Sequence, residues 1–225
     1  MQLAPNAENF IYDVINGEYD DIFDFSKKMI DIGSCMGVYS IELVKNDKFS
    51  YAYAFEANKV YSKLIGINSV LNNVCDKVDV FNTFISDQNS KIEYNGWVTN
   101  KNADIINVDY LTECCYETYY IDDHTFKEIP TRTIDSYNFD NIGFIKIDIE
   151  GHELEAIRGS LKTIINNDYP PILFEMWNPD VENFIIDKEK QDLKNKQLIC
   201  LLESLGYKIK YNVTVDNNTH LAIHE

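Results

Sequence analysis

Residues 29–40 read MIDIGSCMGVYS: a short apolar run around Asp31, then Gly33 and Gly37, then an amphipathic stretch. The run predicts a buried strand, Met29–Ile32, and the pattern after Gly37 predicts a helix over Val38–Val44. Gly33 lets the backbone turn sharply and approach a ligand with no Cβ in the way, while Gly37 permits close strand–helix packing. The spacing is G-x-x-x-G. Cys35 stands where the second glycine of a G-x-G-x-x-G dinucleotide site belongs, which argues against a pyrophosphate on the helix N-terminus and puts a nicotinamide-dependent dehydrogenase last. Taken alone, the turn reads first as a means of packing a helix on a strand.

Outward from this turn, short apolar runs alternate with helical patterns, as in βαβ units with a mainly parallel sheet. The further predicted strands are Tyr51–Phe55, Val78–Phe81, Phe144–Ile149, Ile172–Met176, Tyr207–Tyr211 and His220–Ile223; the further helices are Val60–Leu71, Leu154–Ile165 and Leu193–Leu205. The last two strands, joined through VDNNT, predict a hairpin that adds an antiparallel edge. The expected fold is α/β: a seven-stranded, mainly parallel sheet with helices on both faces, in a single domain over residues 1–225. Residues 88–132 break the pattern. They carry Trp97, Tyr110, Tyr116, Tyr119, Tyr120 and His124, and read either as an irregular surface excursion or as a lid that recognises an acceptor.

The chain has 225 residues, 45% hydrophobic and 25% charged, with 37 acidic against 20 basic side chains and a formal net charge of −17. That composition is globular, and so negative a surface repels nucleic-acid phosphates and anionic lipid. Cys35, Cys75, Cys114, Cys115 and Cys200 form no C-x-x-C pair and read as reduced thiols. With neither a signal-peptide pattern nor an apolar span of membrane length, the expected setting is soluble and cytoplasmic.

Ligands of open parallel sheets settle at the carboxyl ends of the strands, where the strand order reverses. There the second strand ends in Glu56, whose carboxylate can accept both hydroxyl hydrogens of a ribose. Past the third strand, Ser86 and Asp87 stand within reach of an adenine amino group. A glycine turn, a ribose acid and an adenine acid suit an adenosine ligand without phosphates, S-adenosylmethionine.

The stretches MIDIGSCMGVYSI (29–41), AFEANKVYSKLIGINSVLNN (54–73), TIDSY (133–137), IGFIKIDIEGHELEAIRGS (142–160) and PPILFE (170–175) resemble the FkbM-type methyltransferase family. Gly17-Glu-Tyr19 resembles the family's entry segment, and the likeness runs from about Glu8 to Glu175. Its most specific part is Lys146, Asp148, Glu150, Gly151 and Glu153. The resemblance implies a class I, Rossmann-like methyltransferase fold and S-adenosylmethionine-dependent O-methyl transfer. It also implies that Asp31, Gly33, Ser34 and Gly37 surround the methionine moiety, Glu56 the ribose and Asp87 the adenine. Two positions depart from the family pattern: Cys35 replaces an asparagine and Ala57 a proline. Asn58 reads as a helix N-cap.

Methyl transfer from a sulfonium requires an aligned acceptor oxygen and an acceptor for its proton. On the fourth strand, Lys146, Asp148 and Glu150 would share one face. They form either an internal ion pair or a site in which Asp148 orients or deprotonates an acceptor hydroxyl. His152 is a candidate base or an ordinary histidine at a helix start. Glu175 with Trp177 would suit a sugar ring, although Trp177 reads equally as a core aromatic. Asp148, Glu150 and Glu175 could instead hold Mg²⁺ or Mn²⁺. The leading expectation is an O-methyltransferase for a hydroxyl of a sugar, glycan or related small metabolite. The alternatives are a catalytically lapsed cofactor-binding subunit and, disfavoured by charge, a nucleic-acid methyltransferase.

Overall fold

The computed structural model describes residues 8–94, 99, 105, 127–214 and 218–225. Ten strands follow in chain order: β1 (Lys28–Ile32), β2 (Ala52–Phe55), β3 (Val78–Phe81), β4 (Phe84–Ile85), β5 (Lys91–Tyr94), β6 (Lys127–Arg132), β7 (Ile142–Ile147), β8 (Ile172–Glu175), β9 (Tyr207–Lys210) and β10 (Thr219–His224). Seven of them form one sheet in the order β3-β2-β1-β7-β8-β10-β9. The pairings from β3 through β8 are parallel, and β10 runs antiparallel to both β8 and β9. From β1 the chain travels outward through β2 and β3, then returns to place β7 on the other side of β1. The strand order therefore reverses between β1 and β7, where a ligand crevice is expected.

Side-chain alternation along the central strands divides the core in two. Met29 and Phe144 face a cluster with Phe10, Phe23, Phe49 and Leu43. Ile30, Ile32, Ile145 and Ile147 face the other cluster, with Ile157, Phe174, Leu198 and Leu202. β7 is buried along its whole length, as a central parallel strand must be. On the same side of the sheet as Met29 and Phe144, the pattern places two charged residues, Asp31 and Lys146, directly opposite each other in the β1–β7 register.

Helices α2 (Val38–Lys45) and α3 (Lys59–Leu71) lie where periodicity predicts them, and the Asn58 side chain caps α3 by accepting from Val60 N. Other elements differ from expectation. A first helix, α1 (Glu8–Ile15), buries Phe10, Ile11 and Val14 and had not been expected. The single helix predicted over Leu154–Ile165 is two, α4 (Glu153–Arg158) and α5 (Leu161–Asn166). They part at Gly159, where a Cβ would lie 2.0 Å from Ser86 O, and Ser160 Oγ donates to Ala156 O at 2.7 Å. The last helix, α6 (Lys188–Ser204), starts earlier than predicted because Asp187 caps it, its carboxylate accepting from Lys190 N.

The region 88–132 is not irregular throughout. β5 and β6 pair antiparallel, and β4 joins them in a three-stranded sheet of order β4-β6-β5. Trp97, Tyr110, Cys114, Cys115, Tyr116, Tyr119, Tyr120 and His124 lie outside the described residues. Cys75 and Cys200 are free thiols. Among the described residues, no helix is long and apolar enough to cross a membrane.

Phe144 is fully buried, stacked on Phe49 and edge-on to Phe23, so it joins the central strand to the aromatic cluster that covers it. Phe144→Ala is expected to cost about 3–5 kcal/mol of unfolding free energy, measured by urea titration.

Candidate active site

At the carboxyl ends of β1, β2 and β7, the strand tips and the turns that follow them enclose a cleft of about 820 Å³, counting its open mouth. Gly33, Glu56, Phe84, Tyr94, Asp148 and Glu150 are among its walls. The floor is the glycine turn. Gly33 has φ +76°, and a Cβ on it would lie 1.8 Å from Asp148 O, so the turn after β1 touches the end of β7 at a point only glycine can occupy. Asp148 N donates to Ile32 O at 3.0 Å, which closes the same junction.

Beneath the floor lies the buried charged pair of Lys146 and Asp31. Lys146 Nζ donates to Gly33 O at 2.7 Å and sits 3.6 Å from Asp31 Oδ1 and 3.4 Å from Asp148 Oδ2. Burial would depress this ammonium, but the carboxylates of Asp148 and Asp31 outweigh it and hold the lysine above its ordinary range. Asp31 Oδ2 in turn accepts from Ser40 N and Ser40 Oγ, the latter at 2.6 Å. Asp31 therefore anchors the start of α2 from below and is not part of the cleft wall. Ser34 Oγ donates to Asp31 O at 2.7 Å, and Gly37, at φ +84°, makes room for Ile65. Gly33 alone of the four predicted methionine-side residues lines the cleft.

Glu56 closes the other side. Its Oε2 accepts from Cys35 N at 2.9 Å and its Oε1 from Asn58 N at 2.6 Å, so one carboxylate ties the glycine turn to the start of α3. Burial pushes this carboxyl up to about 7, against the pull of the Asn58 and Cys35 amides and of Lys146. Cys35 itself has φ +48°, a left-handed conformation that the family's asparagine tolerates better than a cysteine. It is the Cys35 amide that serves Glu56.

β7 ends at Ile147, so Asp148, Ile149, Glu150 and Gly151 form a turn and not the continued strand face that the sequence suggested. Glu150 has φ +55° and Gly151 φ +85°. Glu153, which the sequence placed in the motif but to which it assigned no role, braces this turn: its Oε1 accepts from Ile149 N at 3.0 Å and Gly151 N at 3.2 Å. Burial raises the Glu153 carboxyl to about 7, against its own amide, that of Ile149 and the charge of Lys194.

Several expectations require correction. His152 is fully buried, lies in neither cavity wall, and bonds through Nε2 to Ser86 Oγ at 3.1 Å; it lacks the access that a base for an acceptor needs. Ser86 is occupied by that bond, and Asp87 is exposed and outside the wall; the corresponding wall positions are Thr83, Phe84 and Ile85. Glu175 lies in a second, smaller cavity beyond Asp148. Trp177 is 3% exposed and packs edge-on against Phe184, a core aromatic. Among the described residues, no three of His, Cys, Asp and Glu converge as metal ligands. Asp148 is drawn to Lys146, Glu150 faces the cleft and Glu175 faces the neighbouring cavity, so these three do not form a divalent-cation site.

Phe84 and Tyr94 were missed. They line the cleft from the small sheet with ring centroids 5.4 Å apart. No local signal marks them, since β5 reaches the cleft only through pairing with β6.

The second cavity, about 340 Å³ only when the open solvent at its mouth is counted, is lined by Tyr39, Lys146, Asp148, Glu175, Thr214 and Thr219, among others. Asp148 borders both spaces. Among the described residues no Lys, Arg or His lines the main cleft, and its carboxylate and aromatic walls fit an adenosine without phosphates better than a pyrophosphate.

The sheet order, the glycine turn after β1 and the acid after β2 define a class I methyltransferase fold. The family model described as the methyltransferase FkbM domain matches residues 31–209, and the chain belongs to this family of S-adenosylmethionine-dependent methyltransferases. Among solved structures, the methyltransferase FkbM of Methylobacillus flagellatus KT is similar at TM-score 0.56 and 19% identity. The match covers 90% of this chain but 44% of that one, so this chain spans less than half of that protein's length. An O-methyltransferase from Bacillus cereus, in complex with SAH, is similar at TM-score 0.54 and 12% identity, covering 99% of this chain and 82% of that one. A ribosomal protein L11 methylase from Lactobacillus delbrueckii subsp. bulgaricus is similar at 0.54 and 11%, with coverage of 99% and 82%. At these identities the likeness is one of fold. A sequence search of curated proteins gives no match.

Gly33→Ala would force the floor off Asp148 O and strain a left-handed backbone. We expect it to destabilise the chain by more than about 2 kcal/mol. Affinity for S-adenosylhomocysteine should weaken more than about tenfold in calorimetry.

Proposed function

We propose that this methyltransferase acts on oxygen, transferring the methyl group of S-adenosylmethionine to a hydroxyl of a sugar, glycan or related small polyhydroxylated metabolite. The observation that carries the proposal is the second cavity. It adjoins the cofactor cleft across Asp148 and presents Glu175, Thr214 and Thr219 around a small space. Carboxylates and hydroxyls on several sides suit a compact ligand with several hydroxyl groups. Together with the formal charge of −17, they disfavour a nucleic-acid acceptor.

When bound, the cofactor supplies an electrophilic methyl group, and the chain's own residues do the rest. Glu56 would accept the ribose hydroxyls at one end of the cleft. Gly33 keeps the floor free of a side chain. Asp148, exposed on its side chain by 47% and held by Lys146, stands between the two spaces, where it can orient an acceptor hydroxyl and receive its proton. Glu175 would hold a neighbouring hydroxyl. His152 acts through Ser86 on the shape of the turn and takes no proton from the acceptor.

Methyl transfer from labelled cofactor to a panel of monosaccharides and glycan fractions tests the proposal directly. Asp148→Asn is expected to lower kcat by about 10²–10⁴. Its Kd for S-adenosylhomocysteine should stay within about threefold of wild type. Absence of transfer to every hydroxyl acceptor, with transfer to amines or nucleic acid instead, would overturn the reading.

A second test concerns Glu56. Ribose hydroxyls donate to the ionised carboxylate, and the empty site holds its proton up to about pH 7. Affinity for S-adenosylhomocysteine is therefore expected to be flat well above pH 7 and to weaken toward about tenfold per pH unit below it. Glu56→Gln should bind more weakly and abolish that slope.

A further inference from the structure

Charge is unevenly spread along the acceptor side. Among the described residues, no basic side chain lines the cofactor cleft, and the second cavity has Lys146 alone, already engaged by Gly33 O, Asp31 and Asp148. Three cations gather instead in a surface groove between α4 and α6, where Glu155, Arg158, Lys190 and Lys194 are among the lining residues. Helical spacing builds it. Glu155 and Arg158 stand three apart on α4, and Lys190 and Lys194 four apart on α6, so each pair shares one helix face. Glu155 is the one acid of the described wall, and its carboxylate lies 3.6 Å from Lys194 Nζ. Three positive side chains against one negative leave this groove positive on a chain whose formal charge is −17.

Shared walls set the groove in line with the site. Asp148 borders the cofactor cleft and the second cavity, and Glu175 borders that cavity and a narrow gap beside Trp177. Leu154 and Lys194 border both the gap and the groove. Lys194 also donates to Gly151 O, which fastens the groove to the turn that carries Asp148. From the cleft outward the walls thus change from acidic to basic. Carboxylates beside the reacting methyl suit hydroxyls, which donate to them. Arg158 and Lys190 are exposed, and a guanidinium can take a carboxylate or a phosphate through two parallel hydrogen bonds.

We propose that the acceptor is an oligosaccharide bearing one anionic group, a carboxylate or a phosphate, and that the α4–α6 groove holds this anion while Asp148 meets the hydroxyl to be methylated. The proposal rests on the reading of a hydroxyl acceptor in the second cavity. The gap lies between cavity and groove, so an acceptor that reaches both is longer than one ring. Three cations, one of them beside Glu155, balance a single anionic group and not a polyanion, in keeping with the negative charge of the rest of the chain. Arg158 and Lys190 then determine specificity without touching the reacting atoms.

Calorimetry on the full chain, saturated with S-adenosylhomocysteine, tests this without relying on turnover. The probes are the neutral trisaccharides cellotriose and maltotriose, each beside counterparts ending in glucuronate or in a phosphorylated glucose. At about 50 mM salt at least one anionic counterpart should bind about tenfold more tightly than its neutral parent, the sum of a few exposed ion pairs. That preference should shrink at about 500 mM salt. Arg158→Gln combined with Lys190→Gln should bring it to within about twofold by weakening the anionic sugars, leaving the Kd of the neutral sugar and of S-adenosylhomocysteine unchanged. Lys196→Gln is the control, since Lys196 is exposed on the same helix, pairs with Asp192 and lies outside the groove wall; the preference should survive it. A wild-type chain that binds neutral and anionic sugars alike, or a double variant that keeps the preference, overturns the proposal and leaves the hydroxyl-acceptor reading standing. Binding of S-adenosylhomocysteine but of no sugar, neutral or anionic, would defeat that reading and the proposal with it.

Discussion

The site depends on one cross-strand contact, the buried pair of Asp31 and Lys146. These residues face each other in the β1–β7 register, at the point where the strand order reverses. Buried charges are costly unless they are paired and hydrogen-bonded. Here Asp31 also accepts from Ser40, and Lys146 also donates to Gly33 O. The pair thus fixes three things together: the start of α2, the carbonyl at the glycine turn, and the side of Asp148 that faces Lys146. A hydrophobic pair of equal volume would fill the same space but would hold none of these polar groups. The burial of charge is understandable as a positioning device at the switch point.

Above that pair, two buried glutamates perform parallel tasks on opposite sides of the cleft. Glu56 accepts from the amides of Cys35 and Asn58, and Glu153 from those of Ile149 and Gly151. Each organises a turn whose backbone leaves ordinary geometry, at Cys35 in one case and Glu150 in the other. In both, burial raises the carboxyl to about 7. Carboxylates suit this work because one side chain can satisfy two amides that the turns leave without backbone partners. At these two turns the surrounding bonds over-determine a strained backbone.

Much of this was legible in the residues. The seven strands of the main sheet were readable because central parallel strands are continuous apolar runs, and the G-x-x-x-G spacing argued against a dinucleotide site. Glu56 was legible because a strand tip is a fixed address in this topology. Other features were not. His152 and Ser86 look like solvent-facing polar residues in sequence, yet they bond to each other at 3.1 Å across 66 positions. The helix predicted over Leu154–Ile165 breaks at Gly159 because of Ser86 O, a group that no local pattern can reveal. β5 and β6 were invisible because each is stabilised by a partner distant in the chain, and strand preference is mostly a matter of such neighbours.

By itself the sequence determined the layer architecture, the place of the glycine turn, the acid at the second strand tip and the motif that marks the family. These are consequences of local periodicity and of residue types that only one backbone geometry accommodates. Only the tertiary structure decided which acids face the cleft and which lie beneath it. Asp31, Glu56, Asp148, Glu150, Glu153 and Glu175 are chemically alike as letters. Their roles diverge because burial, a neighbouring lysine or a pair of amides is contributed by distant parts of the chain, and those contacts exist only once the sheet has assembled.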